Sequence, residues 1–231
     1  RPFVRTFGIF GTHARMTFWA SNDRAGPAAA AIVARLQELH DRINVFDPDS
    51  ELSRLNETAF ERPFACSDRL WKLLRACRDG YENTGGAFDP TVQPLMALWG
   101  FHRKQDTYPA PQKVNMVRKA VGMDHVIFDD ANQTVRFSHP ETHLDLGGIA
   151  KGYALDIVRR IARNHGLERG LIDLGGNIGV LAKPPPGRQT YRVAVRDPAN
   201  PNELIEYIPV LDACVATSGN YENIRRIEGR L

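Results

Sequence analysis

Several features that would settle the class of a protein at once are scarce or missing here. There are only three cysteines in 231 residues, Cys66, Cys77 and Cys214. None has CxxC-type spacing, and the odd count builds no disulfide framework. Free cysteine is among the most often buried residue types, so all three are read as small core fillers. The longest apolar runs fall far short of the about 20 residues that cross a bilayer as a helix, so no membrane span is expected. Neither sign of charge dominates. The 30 basic and 27 acidic residues leave a net charge of +3 and are scattered along the chain, which gives no nucleic-acid footprint. GxSxG, HExxH, GxGxxG and the P-loop are all absent. The seven histidines are read mostly as surface or core residues. No signal peptide is read within the 231 residues, and the start at Arg1 rather than Met is what a processed or trimmed chain is expected to show, so the amino terminus gives no localisation.

What is present is material for a real core, with 42% hydrophobic and 25% charged residues, enough for one large domain or two small ones. Phe7–Ala20 reads as strand, glycine break, strand. Pro27 is expected to open a helix at a favoured first-turn position, with Ile32, Leu36, Leu39 and Ile43 at helical spacing. Asp47-Pro48 ends it, and Ser50 is placed to cap the short helix ELSRLN. Ser67 starts a second helix with the stripe Leu70, Leu73, Leu74, Cys77 and Tyr81, stopped by Gly85-Gly86. Ala87–Phe101, interrupted by Pro90 and Pro94, cannot be one regular helix.

Pro111 is expected to open a third helix through Val114, Val117 and Val121, closed by Gly122. HVIFDDANQTVRF reads as a hairpin. Leu144–Leu146 are expected to end a strand and Gly147-Gly148 to turn the chain. A helix follows with the stripe Ala154, Ile157, Val158 and Ile161, reaching about Asn164 and ended by Gly166. Leu171–Leu174 form a strand into Gly175-Gly176, and KPPPG is a loop. YRVAVRD, ELIEYIPVLD and CVATSG complete a run of strands. Helices and strands mix without strict βαβ alternation, which predicts an α+β fold with largely antiparallel sheets.

The phrase DLGG occurs twice, in HLDLGGIAKGYALD and in LIDLGGNIGV. Bare backbone N–H groups at a helix start form an anion cradle, glycines let a ligand approach it, and Lys151 adds a full charge. An ordinary glycine turn with a solvated Lys151 fits the same spacing. Asp145 and Asp173 suit hydrogen bonds from ribose or ring N–H groups, cation coordination, or a plain turn-acceptor role. In GGAFDPT, Phe88 beside an Asp-Pro turn makes either a ring-binding corner or a piece of core. Trp99 and Phe101 are read as core. In ATSGNYE, Thr217, Ser218 and the Gly219 backbone suit phosphate oxygens, and a polar hairpin turn explains them equally well.

Taken in order, these motifs resemble the ApbE-type FAD:protein FMN transferases. The matching stretches are Phe10–Thr12, Phe46–Asn56, Gly85–Phe101, Leu144–Asp156, Leu171–Ile178 and Val215–Asn223, spanning nearly the whole chain. The resemblance implies two lobes around a flavin cleft, one bound FAD and a divalent metal, usually Mg2+, at the pyrophosphate. It implies transfer of the FMN half of FAD to a threonine hydroxyl of a partner protein, with release of AMP. The partners would be membrane-bound redox subunits, and the location the periplasm or cell envelope, with a lipid anchor in the precursor.

Position by position, the resemblance assigns flavin contacts to Phe10, which stands where the family usually has methionine, and to Phe46. Ala87, Phe88 and Asp89 match the nucleotide corner. Asp145 and Lys151 match contacts around the helix start, and the Gly148 carbonyl matches a metal ligand. Thr217 and Ser218 complete the expected cofactor-binding set, and no catalytic residue is assigned. The family continues beyond VATSGNYENIRRIEGRL into a segment with a His and a DP-x-TG motif, which supplies Asp and Thr metal ligands and a base. A single domain over 1–231 lacking that C-terminal segment is therefore expected, with NIRRIEGRL as half of a hairpin. The competing functions are an FAD pyrophosphatase and a flavin carrier without chemistry.

Overall fold

Alternating polar and apolar residues at the amino end fold as they should, into two paired strands. The computed structural model describes residues 1–101, 107–200 and 203–218. In chain order the elements are β1 (Phe3–Ile9), β2 (Thr12–Phe18), α1 (Asn22–Ile43), α2 (Glu51–Thr58), β3 (Phe64–Ala65) and α3 (Asp68–Asn83). A 3-10 turn (Pro90–Val92) leads into α4 (Gln93–Leu98), followed by α5 (Pro111–Val117), β4 (Val126–Asp129), β5 (Thr134–Phe137) and α6 (Gly147–Asn164). The strands β6 (Gly170–Leu174), β7 (Asn177–Val180), β8 (Tyr191–Arg196), β9 (Leu204–Val210) and β10 (Cys214–Ala216) follow. Every strand pair is antiparallel, so the α+β expectation holds.

The chain divides into two compact units, the first drawn from 1–40 and 150–218, the second from 41–149. The first contains a five-stranded sheet of order β1-β2-β6-β7-β10 and the separate ribbon β8-β9. Met16, Phe18, Ile32, Leu36, Ile172 and Leu174 are fully buried in it. The ribbon contributes Tyr191, Val193 and Val210 to a cluster with Val180. The Tyr191 hydroxyl accepts from the Gly170 N–H and donates to the Lys183 carbonyl, both at 2.8 Å, so this buried phenol is satisfied.

The second unit holds α2 to α5 and the sheet β3-β5-β4. Two serines act as read from the sequence: Ser50 accepts from the Ser53 N–H and Ser67 from the Leu70 N–H, capping α2 and α3. The α3 stripe Leu70, Leu73, Leu74 and Cys77 is buried. Glu51 ties the two caps together. Its carboxylate accepts from the Ser67 N–H at 2.6 Å and the Ser67 hydroxyl at 2.8 Å, and pairs with Arg42.

Several local expectations are corrected. Pro27 lies inside α1, which begins at Asn22. The Ser21 carbonyl already accepts from the Arg24 and Ala25 N–H groups, so the helix is under way before the proline, whose fixed φ suits it. The third helix stops at Val117, continues as a 3-10 turn to Ala120, and leaves Val121 extended. None of its residues is fully buried; Val114 and Val117 are half-buried. Leu144–Leu146 belong to no strand, and α6 starts at Gly147 itself rather than after a glycine turn. Of the cysteines only Cys77 is buried; Cys66 is half-buried and Cys214 exposed, its sulfur 3.6 Å from Arg159 Nη1. Phe101 is 59% exposed rather than core.

Candidate functional site

In the second unit, the Asp-Pro corner and the start of α6 are stitched together by hydrogen bonds. Asp89 caps the 3-10 turn: its Oδ1 accepts from the Thr91 N–H at 2.8 Å and the Thr91 hydroxyl at 2.6 Å. Thr91, fully buried, accepts in turn from the Gly122 N–H at 2.7 Å. The turn thereby holds the Pro90 carbonyl in place to accept from the Asp145 N–H at 2.8 Å. Two residues later the Asp145 carboxylate accepts from the Gly147 N–H at 2.7 Å, which satisfies one of the orphan donors of α6 and sets a negative charge at the positive end of its dipole. Asp145 is thus a turn acceptor, reached through a segment without regular secondary structure rather than delivered by a strand.

Phe88 joins the same corner. An added Cβ at Gly80 would lie 3.2 Å from the Phe88 ring and one at Gly148 3.3 Å from it, so the half-buried ring sits against the backbones of both α3 and α6. A Cβ at Gly147 would stand 2.9 Å from Asp145 Oδ1. A side chain at any of these three glycines would therefore press on Phe88 or Asp145, while Gly147 and Gly148 remain exposed. Ala87 is exposed beside them. Phe46, 69% exposed, follows Asn44 in a turn where its N–H donates to Asn44 Oδ1 at 3.1 Å.

The other DLGG phrase folds differently. Gly175 and Gly176 take φ of +61° and +85° in a two-residue hairpin turn between β6 and β7, and Asp173 Oδ1 accepts from the Gly176 N–H at 2.8 Å. One phrase thus starts a helix and its near copy turns a hairpin.

In the first unit, the β1–β2 turn places Phe10 and Gly11 at φ +49° and +67°. A phenylalanine in the left-handed region costs about 1–2 kcal/mol, and strain of this kind concentrates at functional positions. The Phe10 ring meets His40 of α1 edge-on, with centroids 5.6 Å apart. Both line a pocket of about 400 Å³ together with Thr12, His13 and Gln37. Lys151 is half-buried in α6, one turn after Gly147, and Thr217 and Ser218 are exposed just past β10. The Gly219 backbone and NIRRIEGRL lie outside the described residues.

Among the described residues, no group of three or more His, Cys, Asp or Glu could hold a metal ion. Gly148 offers one carbonyl oxygen inside the helical ladder, with a second lone pair to spare. A single neutral donor meets only part of the octahedron that Mg2+ demands, so the remaining oxygens would have to come from substrate phosphates, water or further protein groups.

Reasoning from the sequence missed Asn56, Thr91, Gln37 and His40. Asn56 was the legible one: Leu52, Leu55, Asn56 and Ala59 recur at helical spacing and all are buried, so an amide occupies an apolar stripe. Nothing in the sequence marks Gln37 or His40 as pocket-lining.

Comparison with known proteins finds relatives over nearly the whole chain. A model of the ApbE family matches residues 10–230. A Vibrio cholerae protein named FAD:protein FMN transferase is 32% identical over 197 residues, covering 84% of this chain and 58% of its own length. A Klebsiella pneumoniae protein of the same name is 27% identical over 226 residues, covering 95% and 64%. The chain therefore spans less than two thirds of these relatives. Among solved structures, an ApbE protein from Thermotoga maritima superposes with a TM-score of 0.90 at 29% identity, covering 99% of this chain and 74% of its own. The flavin transferase ApbE from Vibrio cholerae superposes with a TM-score of 0.83 at 26% identity, covering 99% and 76%.

Proposed function

The chain belongs to the ApbE family, and from that premise we propose that it transfers the FMN half of FAD to an acceptor protein. The observation that carries this reading is the stitched corner of Phe88, Asp89 and Asp145, which the resemblance assigns to the nucleotide, with Gly148, which it assigns to the metal; one backbone bond, two carboxylate caps and the packing of the Phe88 ring hold the corner together. At the helix start the Gly147 N–H is taken by Asp145, and the exposed Gly148 beside it lies at the positive dipole end, where a diphosphate would carry its charge.

In the proposed reaction, a threonine hydroxyl of the acceptor attacks the flavin-side phosphorus of FAD. A new P–O bond forms to the threonine oxygen, the P–O bond to the bridging oxygen breaks, and AMP leaves with that electron pair. The threonine proton passes to a base. Mg2+, when bound with the Gly148 carbonyl among its ligands, would neutralise charge on the phosphates. Lys151 adds an ammonium group near the helix start, and Phe10 and Phe46 offer aromatic surface to ring systems. The acceptor is proposed to be a membrane-bound redox subunit and the site of action the periplasm or cell envelope. No helix among the described residues is long and apolar enough to cross a membrane.

Incubation with FAD and Mg2+, with and without a threonine-bearing acceptor segment, tests the proposal. AMP release together with an acceptor heavier by the FMN mass is expected. AMP without acceptor modification would point to a pyrophosphatase, and bound flavin without AMP to a carrier; either result replaces the proposal.

A further inference from the structure

Asn56 lies on the buried stripe of α2 and is 8% exposed. Both polar atoms of its amide bond to one distant residue: Nδ2 donates to the Leu144 carbonyl at 3.0 Å, and the Leu144 N–H donates to Oδ1 at 2.8 Å. This is the reciprocal pair of bonds that a neighbouring strand would supply. A side chain provides it here, for a segment that belongs to no ladder. The next two contacts follow directly along the chain. Asp145 donates its N–H to Pro90, and its carboxylate takes the Gly147 N–H that opens α6. The path from Leu144 to Gly147 is thus held at three successive points, with Asn56 the first.

An apolar side chain would fill the same stripe position without the cost of burying an amide. An amide with both ends bonded adds register: it fixes where the backbone of Leu144 stands. We infer that Asn56 is a positioning residue for the diphosphate of a dinucleotide. Through Leu144 it sets the placement of Asp145 and of the exposed amino end of α6, and it touches no ligand itself. The identification of that dinucleotide as FAD rests on the flavin-transfer reading above.

The test compares wild type with Asn56→Asp, which keeps the shape and the acceptor for the Leu144 N–H but turns an oxygen toward the Leu144 carbonyl. Hydrogen exchange is followed peptide by peptide, and affinity is measured for FAD and for ADP, which carries the same diphosphate without the flavin. Faster exchange confined to residues 143–149, with FAD and ADP both bound about tenfold or more weakly, is expected. Unchanged ADP affinity, or faster exchange throughout α2 and α3 as well, overturns the positioning role. Wild-type protein that binds ADP but not FAD sinks the flavin reading and leaves the Asn56 comparison to be decided on ADP. Wild type that binds neither sinks both. Should the variant not fold, Asn56→Ser, which keeps one hydrogen bond in a smaller side chain, takes its place under the same readouts, and unchanged ADP affinity, or no slowing of exchange at residues 144–149 when ADP is added to wild type, removes the role.

Discussion

Replacing Gly175 and Gly176 by alanine, one at a time, separates two costs imposed by a single turn. Both glycines sit at positive φ, where a residue with a Cβ costs about 1–2 kcal/mol. At Gly176 the added methyl meets nothing within 4 Å, so this strain is the whole effect. At Gly175 it would stand 2.4 Å from Thr12 Oγ1 and 2.6 Å from Thr12 Cγ2. Contacts that short cannot persist, so Thr12 must change rotamer or the β6–β7 turn must move away from the start of β2. Overpacking of this kind adds roughly 1–3 kcal/mol. Gly175→Ala should therefore cost about 2–5 kcal/mol in total, and Gly176→Ala about 1–2 kcal/mol. Urea titration followed by tryptophan fluorescence gives both values, provided the slopes match wild type. Adding Thr12→Ala beneath Gly175→Ala removes the two closest atoms and should return part of the loss non-additively. Equal losses at the two positions, or a larger one at Gly176, would refute the reasoning.

Lys151→Ala should weaken FAD binding roughly ten- to hundredfold, the loss of one charge-assisted hydrogen bond, and wild-type affinity by flavin fluorescence would remove Lys151 from the site. Hydrogen bonds from Arg159 and then Arg163 hold the Asp212 carboxyl below its ordinary value of 3.8, so its contribution is present above that pH and is lost as pH falls through the lowered value. The midpoint difference between wild type and Asp212→Asn in urea should accordingly be constant near neutrality and close below about pH 4; a difference that grows on acidification contradicts it. Burial pushes the Cys77 thiol up to about 12, and burial with Glu51 nearby does the same to Cys66. Iodoacetamide at pH 8 should label Cys214 alone in the folded protein and all three in urea, read by intact mass; early labelling of Cys77 would contradict the burial.

The elements legible in advance were those whose causes lie close together in the chain. Ser50 and Ser67 each reach a donor three residues away, and the apolar period of α3 spans its own turns, so caps and stripe were readable. The starts of α1 and α6 were placed wrongly because Pro27 and Gly147-Gly148 are weak local signals that a carbonyl at Ser21 and a carboxylate at Asp145 override. The candidate site was half legible. Phe88, Asp89, Asp145 and Gly148 could be named from motif order, whereas the bonds that assemble them could not.

By itself the sequence determined the α+β class, the antiparallel hairpins and most helix faces, because periodicity, caps and turn residues act within a few positions. The tertiary structure decided that one DLGG opens a helix and the other a hairpin. It decided that Phe88 lies against two glycine backbones, and that an asparagine does the work of a missing strand for Leu144. A hydrogen bond between residues 88 positions apart leaves no local trace, since it exists only once the chain has closed the loop that brings them together.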